Sequence, residues 1–96
     1  MKLAIITYNQ AFDGDVLRVL SACGLENYTK WTSVEGKGEK SGPHLMTHVW
    51  PKANNVLMVA VEDEDSEKLM EGVKELRSRV ESEGVKAFLV PVEAVT

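Results

Sequence analysis

An α+β fold of order β-α-β-β-α-β is what this sequence predicts. It is the ferredoxin-like split arrangement, four antiparallel strands with two helices on one face. Three observations carry the expectation. An apolar, β-branched run is twice followed by a helical stripe that stops at a glycine, and then by another strand pattern. The runs at 2–8 and 56–61 are apolar on both faces. The chain has 96 residues, which suits one small domain spanning 1–96.

Residues 2–8, KLAIITY, are too short and too β-branched for a helix and predict the first strand. Asp13 is placed to cap a helix over roughly 14–23. Val16, Leu17, Leu20 and Cys23 recur on one face of it, and Gly24 supplies the stop. Residues 27–35 form the second strand. Asn54 and Asn55 mark re-entry into regular structure, and VLMVAV at 56–61 is the third strand. The acidic block Glu62–Glu67 suits the positive end of a second helix. Leu69, Met70, Val73, Leu76 and Val80 make that helix's apolar stripe, and Gly84 ends it. VKAFLVPV at 85–92 is the fourth strand, with Pro91 marking an edge or a termination.

This order leaves a face uncovered. Two helices cover one side of the sheet, yet Leu3 and Ile5 fall opposite Ala4 and Ile6, and Val56 and Met58 opposite Leu57 and Val59. A sheet with one wet face alternates apolar with polar residues. The second face therefore calls for another copy of the same sheet, and the expectation is an obligate homo-oligomer.

The stretch 28–52 is of another character. It starts with Tyr28, Trp31 and Val34, breaks into Gly36, Gly38, Gly42 and Pro43, and returns at Trp50-Pro51. About 36–52 reads as a presented loop, and such loops commonly carry binding. Lys30, Lys37, Lys40 and Lys52 outnumber Glu35 and Glu39 here, in a chain of net charge −4. That favours an anionic effector or an acidic partner surface, or describes a solvated face. Gly36 and Gly38 suit close approach of a phosphate or plain turn geometry. His44 and His48 can ligate a transition metal or serve as ordinary loop residues. Trp31 and Trp50 fit ligand stacking, partner anchoring or subunit packing.

The acidic balance argues against non-specific nucleic-acid binding. The one cysteine, Cys23, makes no internal disulfide and suits a reducing cytoplasm. No apolar run approaches a membrane span, and the N-terminal run is too short for a secretory signal. The expectation is a cytoplasmic protein without membrane insertion. No Ser-His-Asp, Cys-His or paired-carboxylate arrangement is legible, so no enzyme is expected.

AII at 4–6, VEGKG at 34–38 and an exposed loop before an apolar third strand resemble the PII signalling superfamily, nearest its short, divergent branches. The resemblance covers nearly the whole chain, and VEGKG looks like the VKGFG-type base of the family's T-loop. It implies a homotrimer with inward-facing sheets. It also implies an effector site in the subunit clefts for a small molecule such as ATP, ADP or AMP, and a loop, 37–50 here, that contacts a target protein. Carried over, the site comprises Ile6, Glu35, Gly36, Lys37, Gly38 and Lys40. The sequence departs from the pattern in three places. The loop has no tyrosine, so uridylylation is not expected. The glycine-rich segment before strand four is reduced to SEGVK at 82–86. The basic C-terminal segment has no counterpart in PVEAVT. The rival resemblance is to the CutA-type divalent-cation tolerance proteins, to which YTKWTSVEGK is loosely similar. It implies a metal-binding trimer in which His44, His48 or Cys23 meets the metal.

Overall fold

The computed structural model describes residues 1–37, 53–80 and 84–96. Strands β1 (Lys2–Asn9), β2 (Thr29–Glu35), β3 (Ala53–Val61) and β4 (Val85–Pro91) alternate with helices α1 (Asp13–Ala22) and α2 (Asp63–Arg79) in the expected order. The strands form one sheet, β2-β3-β1-β4, and every neighbouring pair is antiparallel. The two long apolar strands, β1 and β3, take the centre. Proline ends β4, an edge strand, where a missing N–H costs the sheet least.

Local chemistry sets the ends of the elements. Asn9 caps a 3₁₀ turn, Gln10–Phe12, its side-chain oxygen accepting from the Ala11 N–H at 2.9 Å. This turn was not anticipated, and it moves Asp13 from the cap position to the first residue of α1. At the other end Gly24, at φ 74°, closes a Schellman motif. Its N–H donates to the Ser21 carbonyl at 2.9 Å, and the Leu25 N–H reaches back to Leu20 at 2.9 Å. Cys23 is the C-cap and packs half-buried at the rim of the core. Helix α2 bears Asp63, Glu64 and Asp65 in its first turn and Arg77 and Arg79 in its last, both signs matching the helix dipole. It stops at Arg79, with Val80 as cap, several residues before the expected stop at Gly84. Gly84 instead makes room for an aromatic ring, because a β-carbon there would collide with Phe12.

The core lies between helices and sheet. Ala4, Ile6, Tyr8, Leu57, Val59, Val61 and Val85 from the sheet meet Val16, Leu20, Leu69, Val73 and Leu76 from the helices, all at 3% exposure or less. Cutting Leu69 or Leu76 to alanine here would cost about 2–5 kcal/mol. The helices approach closely because α2 has a glycine at the crossing. A β-carbon on Gly72 would stand 2.7 Å from Val19 Cγ1.

The other face is the one the strand pattern left uncovered. Register places Leu3 between Ala60 and Val90, Ile5 between Met58 and Phe88, and Trp31 opposite Val56. Directly paired residues share a face. Trp31 is 46% exposed, Phe88 49% and Val90 38%. The result is an apolar surface running from edge to edge of the sheet.

Candidate functional site at the start of β3

Six polar residues meet where β1 ends, α1 begins and β2 runs alongside β3. Asp13 is the acceptor at the centre. Its Oδ1 takes the Tyr8 hydroxyl at 2.6 Å, Lys30 Nζ at 3.2 Å and Asn55 Nδ2 at 3.3 Å, while Oδ2 takes Lys30 Nζ at 3.2 Å. The Tyr8 hydrogen bond, followed by Lys30, holds the Asp13 carboxyl below the usual carboxylate range. Burial, reinforced by the same hydrogen bond, pushes the Tyr8 phenol well above its ordinary value.

Asn55 links this group to β2. It is 3% exposed. Its Oδ1 accepts from Gln10 Nε2 at 3.2 Å and from the Ser33 N–H at 3.3 Å. Gln10 Nε2 also donates to Ser33 Oγ at 2.9 Å. Ser33 itself is at φ 56°, the left-handed region, where an L-residue other than glycine is strained. It sits in a β-bulge: Trp31 pairs with Val56 but Val34 pairs with Asn54, so β2 carries one extra residue. Beyond the bulge Glu35 pairs with Ala53, and Glu35, Gly36 and Lys37 are exposed. A β-carbon at Gly36 would run into the Asn54 side-chain amide, which would have to turn aside to admit one.

Of the residues expected at a site, Glu35, Gly36 and Lys37 are brought together at the end of β2. Ile6 is not among them. It is fully buried in the core, opposite Leu57, and Leu57 lies four residues along β3 from Glu35's partner Ala53, about 13 Å away. Gly38, Lys40, His44, His48 and Trp50 lie outside the described residues. Lys30, counted among the cations of this stretch, is half-buried and ion-paired to Asp13, so its charge is balanced within the fold. Cys23 stands apart, at the end of α1, with burial raising its thiol pKa. Among the described residues, no three metal-ligating side chains cluster, and no helix is long and apolar enough to cross a membrane.

Sequence reading missed Gln10, Ser33 and Asn55 as parts of a site. One signal was available. Asn55 shares its strand parity with the buried Leu57, Val59 and Val61, and an amide in that position has to be hydrogen-bonded.

The family model of the nitrogen regulatory protein P-II matches residues 1–96. The chain belongs to the P-II family. Solved structures similar to this P-II chain agree on the fold. The apo form of CPII, a nitrogen regulatory PII-like protein from Thiomonas intermedia K12, superposes with a TM-score of 0.69 at 21% identity, covering 93% of this chain and 85% of that one. The same protein bound to ADP, AMP and bicarbonate gives 0.67 at 20% identity, over 99% and 94%. A candidate PII-like signaling protein from Thermus thermophilus gives 0.67 at 18%, over 93% and 83%. No curated protein matches the chain significantly.

Proposed function

We propose that this P-II family member is a cytoplasmic, homotrimeric regulator. It senses a small anionic effector, an adenine nucleotide among the candidates, in clefts between subunits, and it controls a target protein through the segment 37–50. The observation that carries the trimer is the uncovered apolar face, with Trp31, Phe88 and Val90 between 38% and 49% exposed in the isolated chain. Apolar surface on that scale marks an interface, and three sheets facing inward bury it.

Support for an anionic effector comes from the end of β2. Gly36 carries no side chain there, and the exposed Lys37 follows it directly. Similar structures have been solved with ADP, AMP and bicarbonate bound. The protein acts by binding rather than by chemistry: an effector that prefers one arrangement of the segment shifts its population toward that arrangement.

The test has two parts. Light scattering behind size exclusion measures the mass of the particle. Calorimetric titration with ADP and AMP, with and without bicarbonate, measures effector binding. A trimer that binds a nucleotide supports the reading. A monomer, or a trimer that responds to none of these, overturns it. A response to copper or zinc alone, lost in His44→Ala and His48→Ala, moves the protein to the divalent-metal reading.

A further inference from the structure

From the geometry around Ser33 we infer that Asn55 is a positioning residue for the effector site. It holds the left-handed bulge that decides on which side of the sheet Glu35, Gly36 and Lys37 emerge. The inference rests on the effector-sensing reading above and names a part of the site that neither the loop nor the lysines supply.

Ser33 is the one non-glycine residue with positive φ among the described residues. Such a conformation persists where the surroundings over-determine it. Here the surroundings are two amides. Asn55 Oδ1 accepts the Ser33 N–H, and Gln10 Nε2 donates to the Ser33 hydroxyl and to the same Asn55 oxygen. Asn55 is in turn anchored from the opposite side through its Nδ2 on Asp13. The clamp is therefore tied to the start of α1 and is not a local turn contact.

The consequence for the site follows from strand geometry. Side chains alternate between faces with a period of two, so one extra residue exchanges the face of everything after it. The bulge between Trp31 and Val34 is that extra residue. Without it, Glu35 and Lys37 exchange sides with Gly36. The neighbouring Asn54, on the opposite face of β3, places its amide in the space a side chain at Gly36 would need.

The experiment uses the full chain in four forms: wild type, Asn55→Ala, Ser33→Gly, and the two combined. Glycine adopts positive φ at no steric cost, so it removes the need for the clamp. ADP affinity in the presence of bicarbonate is read by calorimetry, protection of the residue-33 amide by hydrogen exchange, and folding by melting temperature. Asn55→Ala is expected to weaken ADP binding about tenfold and to abolish protection of that amide. In the Ser33→Gly background, where positive φ no longer needs holding, Asn55→Ala should cost much less affinity than it does in the wild type. Wild-type affinity in Asn55→Ala, or an equal loss in a folded double variant relative to Ser33→Gly, overturns the inference. Should Asn55→Ala fail to fold, Gln10→Ala, which removes the donor shared by Ser33 Oγ and Asn55 Oδ1, takes its place: weaker ADP binding supports the inference and wild-type affinity overturns it. If the wild type binds no ADP, the effector reading falls by itself, and protection at residue 33 that survives Asn55→Ala overturns the positioning role independently.

Discussion

The Tyr8 hydroxyl donates to Asp13 Oδ1 at 2.6 Å, the shortest leg of a polar group that joins the end of β1, the start of α1 and the edge of β2. Tyr8 is 2% exposed, so its phenol depends on this partner. Replacing it with phenylalanine deprives Asp13 of its strongest donor and should cost about 1–2 kcal/mol in urea denaturation.

The same contact sets a pH dependence. The folded-state pKa of Asp13 lies below its unfolded value of about 3.9. Its contribution to stability is therefore fully present above about pH 4 and is lost as pH falls through the folded value. The Tyr8 phenol is shifted the other way, so its contribution is present below about pH 10 and is lost as pH rises toward the folded value. Melting curves of wild type and Asp13→Asn between pH 2 and pH 7, a range of about five units, should converge at the acid end.

The helix crossing offers a prediction of opposite-signed effects. Gly72→Ala gains about 1 kcal/mol of helix propensity. The new methyl meets Val19 Cγ1 at 2.7 Å, and overpacking of that kind costs about 1–3 kcal/mol. The clash should win, with a net loss near 1 kcal/mol. In a Val19→Ala background the obstacle is gone, and Gly72→Ala should become stabilising there. Equal effects in both backgrounds would show that the helices adjust freely.

Phe88 is half-exposed on the outer face of an edge strand, so the isolated chain does not need it for its core. Phe88→Asp places a charge where neighbouring copies are proposed to pack. The expected outcome is a smaller particle by sedimentation, with helical circular dichroism retained. An unchanged particle would remove this face from the assembly.

At Gly24 the φ of 74° leaves open space where a β-carbon would go. The cost of Gly24→Ala is therefore conformational alone, about 1–2 kcal/mol. Gly24→Asn should cost less, because asparagine tolerates the left-handed region, and thermal denaturation of the two variants makes the comparison.

Periodicity and punctuation are local properties, and they carried far. The β-α-β-β-α-β order, the two-faced strands β1 and β3, the acidic start of α2 and the Gly24 stop all follow from residues within a few positions of one another. The uncovered apolar face was legible for the same reason, since parity along a strand needs no knowledge of its neighbours. Glu35, Gly36 and Lys37 could be considered together from the sequence because they are contiguous. Long-range proximity was not readable in this way. Lys30 looked like a free cation until the fold set Asp13, 17 residues away, against it. Gly84 looked like a helix stop until Phe12 was packed over it. Ser33 showed no sign of left-handed backbone, because its strain is borne by Gln10 and Asn55, which are 23 and 22 residues distant. Those contacts depend on how β2 registers against β3, and register is settled only when the sheet pairs and the core closes beneath it.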